Sequence, residues 1–528
     1  ATSQGGTGTR QSDGSFSYTP ASGFTGSVTF TYTVTNGLSP YDTATVTINV
    51  DEGPTVTTTS PANNAVDVAS NSNITINFSE QVNATTSSFS IECPTGSPQS
   101  FSLSASPAAS FTLNPTADLP AGTSCTVTVI ANQITDADSF DPPDQMAANY
   151  VFSFGTKLEA IDDMHSVTGN VRINTAGSGF SVLSNDSPGV TISAFDATSA
   201  KGGNVTMNTT TGTFTYDPPR GFTGTDTFTY TISNANGSDT ATVVLTITDM
   251  IWFVNNSAAA CAPASCGRLT SPYNSLSAFE AANGGGTTSF GAVVDPEAGD
   301  NIFIHTGSGN YTGPLTLENN QRVIGQGATS SIETLAGITL APDSDALPST
   351  GGAKPSITSA GDGIVLALNN QLYGLAFSNT AGNAVSGSAV GTLIFGDLDV
   401  NNTGSAGGGI SLTGGGPVTS TGVNTIATGT GVALNVVNTT IDAGGLSFRS
   451  ISANGAPSGI ILNNTGTAGG LTVTGNSNGI CGGQVTTNTV GTLATVSAPD
   501  TADCTGGTIQ NTTGAGISLT ATKNTSLT

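Results

Sequence analysis

Apolar and polar residues alternate through long stretches of this chain, and one alternating stretch occurs twice. Residues 13–34, DGSFSYTPASGFTGSVTFTYTV, return at 211–232 as TGTFTYDPPRGFTGTDTFTYTI. In the first copy Phe16 and Tyr18, then Val28, Phe30, Tyr32 and Val34, fall on every second position. That period predicts strands with one buried face. The Pro and the Gly-Phe-Thr-Gly between the two runs predict the turn that joins them. Repetition at this scale implies an array made by module duplication rather than one catalytic domain. Further along, a looser pattern takes over, in which a Gly precedes an apolar residue. It occurs at Gly363-Ile364, Gly409-Ile410, Gly431-Val432, Gly459-Ile460, Gly479-Ile480 and Gly516-Ile517, with Asn383-Ala384 as a weaker member. Most gaps are about 20 to 28 residues, the length of one coil in a stack that buries a continuous aliphatic core.

Composition points the same way. Only 9% of the 528 residues are charged, and Lys and Arg together number 10. Helix-favouring side chains are scarce and β-branched ones abundant, so an all-β chain of about three or four domains is expected. A net charge of −25 argues against binding nucleic acid or anionic membranes; it suits divalent cations or plain solubility. No run of 18 apolar residues is present to span a membrane, and ATSQGGTGTR has neither the basic start nor the apolar core of a signal peptide. The six cysteines fall into local pairs, Cys93 with Cys125, Cys261 with Cys266, and Cys481 with Cys504. Pairing within modules predicts disulfides and an oxidising, extracellular setting. Zinc is disfavoured, since no CxxC occurs and His165 and His305 are distant.

Particular residues carry family resemblances. In 157–249, Ala160-Ile161-Asp162-Asp163, Val182-Leu183-Ser184-Asn185-Asp186, Gly212-Thr213-Phe214-Thr215-Tyr216 and Gly221-Phe222-Thr223-Gly224-Thr225-Asp226 resemble the cadherin-like, Ig-type tandem repeats of very large bacterial surface proteins. The resemblance implies a sandwich of about seven strands, of which 1–50 is a partial copy. Residues 51–156, with SPANNAVDVASNSNITINFSE, LPAGT and a closing FSF, resemble the Ig-like domain of S-layer and secreted bacterial proteins; there Cys93–Cys125 would link neighbouring strands. Residues 250–528 open with IWFVNNS, SPYNSLSAFEAAN and GDNIFIHTGSGNYTGPLTLENNQRVIGQG. They resemble a right-handed parallel β-helix of the pectin-lyase-like kind, capped by a short helix. The long gap before Gly516 contains Cys481 and Cys504, as an insertion tied off by a disulfide would. The fold expected is therefore tandem Ig-like β-sandwiches followed by a right-handed parallel β-helix.

Candidate chemistry is thin. Polygalacturonase-like clusters (NTD, paired Asp-Asp, Gly-His-Gly) do not occur after residue 300, and the basic residues a lyase needs are only Arg322, Lys354, Arg449 and Lys523, plus His305. The best acidic pair is Asp397 and Asp399, which alternation places together on the outer face of a strand with Leu398 inward; acid–base work or calcium is one reading, a solvated strand face the other. Calcium is the ligand most compatible with Asp136, Asp138, Asp141 and Asp144 in DADSFDPPD, although no EF-hand order is present. A second candidate set is Asp162, Asp163, Asp186 and Asp226; the first copy has Val28 where the second has Asp226. Sequons such as Asn310-Tyr311-Thr312 are expected by chance in so Thr-rich a chain. The expectation is a non-enzymatic structural or adhesive segment of a giant cell-surface or filament-forming protein, partnered by neighbouring copies, other surface proteins or glycans. A carbohydrate-active enzyme is the alternative. Both ends are expected to be unfinished edges, since the first copy enters the repeat late and the last coil pattern has no cap.

Overall fold

The computed structural model describes residues 6–22, 24–50, 52–137, 145–262, 265–283, 294–475 and 506–527. Among these residues the protein is built from strands, with short helices at Leu276–Glu280 and Ile332–Ala336. No helix among them is long and apolar enough to cross a membrane.

The first copy of the repeat forms two separate antiparallel pairs, Thr7–Arg10 with Phe16–Thr19 and Gly26–Val34 with Asp42–Val50. Phe16 and Phe30 meet edge to face, 4.6 Å between ring centroids. Val28 is buried, while Tyr32, Val34, Leu38 and Tyr41 stay exposed.

Residues 54–156 close into a two-sheet sandwich. One sheet gathers Ile74–Asn83 with Ala108–Pro115, Val56–Ser60, Phe101–Leu103 and Thr135–Asp136; the other gathers Ser124–Val129 with Tyr150–Thr156, Phe89–Glu92 and Ala65–Val68. Alternating inward residues of both sheets, among them Ile74, Ile76, Phe111, Val127 and Phe152, make the core, as period-2 patterning requires. Cys93 and Cys125 are bonded, with Cα atoms 4.3 Å apart, and both are buried in that core.

The second copy of the repeat has the same hairpin, Gly224–Asn234 with the strand beginning at Gly237. Here the hairpin is flanked on both edges. Thr191–Phe195 pairs antiparallel with its first strand, and Asp163–Gly169 runs parallel to its second. A facing sheet of Ile173–Asn174, Phe214–Asp217 and Asn204–Met207 closes the core around Phe214, Tyr216, Phe228, Tyr230 and Ile232.

Strand Gly237–Val254 then leaves the sandwich, and its last residues pair parallel with Asn301–Ile304. From there, among the described residues, every pairing between strands is parallel. One ladder continues through Arg322–Gly325, Gln371–Tyr373 and Leu393–Gly396. A second sets Ile364, Val385, Ile410, Leu434, Ile460 and Ile517 in register. A third runs Tyr311–Thr312, Ser356–Thr358, Ala376–Ser378, Asp399–Asn402, Thr425–Thr428 and Ser450–Asn454. Aliphatic residues from all three ladders share one elongated core, closed at the start by Tyr273, Leu276 and Phe279. Glycine before the register residue has a steric reason: a Cβ on Gly409 would lie 2.1 Å from the Ala433 carbonyl oxygen of the next layer. Asparagines in left-handed corners bond from layer to layer, Asn369 to Asn320 at 3.1 Å and Asn464 to Asn438 at 3.0 Å, using the tolerance of Asn for positive φ. Cys261 and Cys266 are bonded near the base of the stack; Cys481 and Cys504 lie outside the described residues.

Candidate functional site

Among the described residues, two carboxylates with raised pKa meet at the hydroxyl of Tyr230. Alternation along Gly224–Asn234 turns Tyr230 into the sandwich core, where it is fully buried. Its hydroxyl lies 3.0 Å from Asp163 Oδ2, 3.0 Å from Asp186 Oδ2 and 2.9 Å from the Val182 carbonyl. With the Ile161 carbonyl at 3.3 Å as a fourth, one proton serves four acceptors, so oxygen crowds against oxygen. Burial above all, helped by the charges of Asp186 and Asp162, raises Asp163 to about 6 against the pull of the Tyr230 hydroxyl. Asp186 is raised as well, chiefly by burial, although the Ile161 amide donates to it at 2.8 Å. Tyr230 itself is pushed up, by burial and by the two carboxylates. Asp162 lies outside this contact: it is exposed and accepts from the Thr242 amide at 2.7 Å. Asp239, which sequence reasoning passed over, ties the same segment down by accepting from the Ala160 amide at 3.0 Å.

Asp226 belongs to a different network. It is buried, and its carboxylate accepts from the hydroxyls of Ser199 and Tyr216 and from the amides of Lys201 and Thr227. Four donors saturate it, so its chemistry is structural: it anchors the turn at 199–203 onto the strand. Asp136 is buried at the edge of the first complete sandwich, with its carbonyl accepting from Asn83; Asp138, Asp141 and Asp144 lie outside the described residues. Among the described residues no three of His, Cys, Asp and Glu come together as a metal-holding group.

Asp397 and Asp399 do not form the outward pair that alternation implied. Asp397 adopts a left-handed φ of 56°, so the strand begins only at Asp399. The buried Asp397 carboxylate accepts from the amide and hydroxyl of Thr329 and from the Val423 amide, which fastens a loop. Asp399 is exposed and accepts from Thr425. Leu398 is buried, as expected. His305 sits half-buried beside Phe303, and burial lowers its pKa.

Residues 50–156 match the profile of the bacterial Ig-like domain family. Residues 1–49 and 160–246 both match a second profile, that of the bacterial Ig domain. The chain therefore carries bacterial Ig-type domains in series, and its internal repeat is a repeat of one domain type. No curated protein matches the sequence. Solved structures with local likeness include the N-terminal part of the bacterial S-layer protein SbsC, at 14% identity over 38% of this chain and 45% of that one, TM-score 0.15. Drosophila N-cadherin EC1-4 is 12% identical over 45% and 65%, TM-score 0.14. An endo-fucoidan hydrolase of glycoside hydrolase family 107 is 12% identical over 46% and 37%, TM-score 0.16. The chain spans less than half the length of the S-layer structures it matches. At these TM-scores none of the three bears on what this chain does.

Proposed function

We propose that the chain is a structural or adhesive segment of an extracellular bacterial surface protein. Its modules on this reading are a partial Ig-type sandwich at 1–50, an Ig-like sandwich at 51–156, a second Ig-type sandwich at 157–249 and a right-handed parallel β-helix at 250–528. The β-helix reading is supported by three parallel ladders sharing one core and by the strong right-handed preference of parallel crossovers. The function rests on one observation above all: bacterial Ig-type domains follow one another along the chain and the last runs through a single strand into the stacked ladders. Such a series gives reach, and the stack adds a long flank of Ser, Thr and Asn suited to glycans or neighbouring chains. No enzymatic step is assigned, because the carboxylates best placed for one, Asp397 and Asp399, are engaged separately.

Incubation with pectins, alginates and neutral glycans tests the reading. New reducing ends and unsaturated products are expected to be absent. Product formation that disappears in Asp399→Ala would overturn the proposal in favour of a carbohydrate-active enzyme.

A further inference from the structure

Strand Gly237–Val254 belongs to two assemblies at once. Its first part pairs with Gly224–Asn234 in the sandwich, and its last four residues pair with Asn301–Ile304 in the stack. Between them Asp249 takes a left-handed φ of 57°, and the register with the neighbouring strand shifts at Thr168/Gly169. A single strand with such a kink, standing alone, would act as a swivel.

Its surroundings oppose that, from two sides. On one side, the loop after helix Ile332–Ala336 lies along the sandwich edge. His165 Nε2 is 2.8 Å from Asp343 Oδ2, and Arg172 Nε donates to Asp345 Oδ2 at 2.8 Å. Backbone bonds reinforce them: Asn174 N to Asp343 O and Asp345 N to Arg172 O, both 2.7 Å. Val171 of the sandwich is buried with Ile251, Phe253, Phe303 and Ile324 of the stack. On the other side, Arg268 reaches Asp217 at 3.2 Å, and Arg220 pairs with Asp295. The Arg220 guanidinium also lies 5.6 Å from the Trp252 ring centroid, a cation–π distance. Gly221 closes the gap: a Cβ there would lie 2.3 Å from the Val294 carbonyl oxygen.

The allocation of charge is informative. A chain with 10 lysines and arginines, two histidines and a net charge of −25 places Arg172, Arg220, Arg268 and His165 at this one joint. Pairs as enclosed as Arg220–Asp295, 7% and 16% exposed, are costly to break, because either partner alone is left as a buried charge. The preceding joint is fastened differently, by neutral hydrogen bonds from Asn234 and Asn236 to the Gly122 carbonyl.

We propose that these two grips lock the second Ig-type sandwich to the parallel-stranded stack as one rigid body, so that load crosses Asp249 without a hinge. The inference rests on the joint alone and holds whatever the stack binds or does.

Trp252, the chain's one tryptophan, is buried within the grip, so its fluorescence reports on the joint during denaturant unfolding of the full chain. Amide exchange read on peptides from 163–174 and 338–347 reports on the two sides. Both peptides are expected to lose protection together, at the midpoint of the Trp252 signal. Arg172→Glu is a mild probe, since that side chain is 42% exposed; it is expected to cut protection of both peptides about fivefold, as loss and reversal of a partly exposed pair implies. The charge swap Arg172→Glu with Asp345→Arg is expected to restore most of that protection. Either peptide opening while the Trp252 signal stays native would overturn the proposal. So would an Arg172→Glu effect confined to 163–174, or a swap that restores nothing.

Discussion

Phe16, Tyr18, Phe30 and Tyr32 in the first copy of the repeat hold the same places as Phe214, Tyr216, Phe228 and Tyr230 in the second, yet the second four are buried and the first four are exposed or only half-buried. Phe16 is 40% and Tyr32 47% exposed, where Phe214 is 2% exposed and Tyr230 fully enclosed. The hairpins themselves match: Gly26–Val34 pairs with Asp42–Val50 much as Gly224–Asn234 pairs with the strand from Gly237. What differs is the neighbours. In the second copy Asp163–Gly169 and Thr191–Phe195 flank the hairpin, and Val167, Val182 and Ile192 fill the space beneath the rings. Period-2 alternation thus specifies a face to be buried; the residues that bury it lie outside the repeated stretch. The same chemistry yields a core in one place and an open sheet in the other.

The comparison is broken most directly at the matched phenylalanines. Phe228→Ala removes a ring from a closed core and is expected to cost about 4 kcal/mol. Phe30→Ala removes a half-buried ring from an open pair and should cost about 1 kcal/mol or less. Urea unfolding followed by peptide-resolved exchange separates the two modules. Equal losses would mean that the first copy is closed in solution. A second test uses the domain between the copies as a reference. Neither copy contains cysteine, whereas Cys93–Cys125 closes a loop with a separation of 32 residues. Reduction, or the double change to Ala, is expected to cost that domain about 4 kcal/mol in the chain-entropy model and to leave exchange in both copies unchanged. A copy that loosens on reduction would show that the modules are energetically coupled.

Much of this was legible in the residues, with failures that have physical causes. Gly363, Gly409, Gly459 and Gly516 each directly precede a ladder residue, as the motif implied. Gly431 does not: the residue in register there is Leu434, because the turn takes two more residues. Alternation also failed at Asp397, where a left-handed backbone ends the period. The Tyr230 cluster was half visible. Asp163 and Asp186 were singled out through resemblance, but no local pattern says that a tyrosine more than forty positions away brings them together. The arginines at the joint with the stack left no signal beyond their scarcity, since their partners come from distant segments.

A smaller and sharper probe is the one place where the copies differ in chemistry, Val28 against Asp226. In the second copy Asp226→Val strands the hydroxyls of Ser199 and Tyr216 and the amides of Lys201 and Thr227. Relief of a buried charge offsets part of the loss, so a net cost of about 2 kcal/mol is expected, read as a lower urea midpoint. A neutral outcome would mean that the turn at 199–203 holds without its anchor.

The least effect is expected from pH, and it belongs to the carboxylates around Tyr230 in the second copy; Tyr32, the matching tyrosine of the first, is exposed. Asp163 is raised from 3.8 to about 6, so the folded sandwich holds that proton more tightly than the unfolded chain does. The stability this proton lends is complete below the unfolded value and is lost as pH climbs through about 6. Acidification from pH 7 to pH 4.5 should therefore stabilise the second sandwich, by on the order of 1 kcal/mol once the water reaching Asp186 is allowed for. Asp163→Asn keeps an acceptor for Tyr230 and removes the titration, so it should flatten the slope without lowering stability at pH 7. Exchange protection of peptides spanning 224–234, corrected for the intrinsic pH dependence of exchange, is the measurement. A slope that survives Asp163→Asn would move the proton to Asp186. A slope of the opposite sign would mean that the two carboxylates are held ionised, and that the crowding around the Tyr230 hydroxyl is relieved by something other than a shared proton.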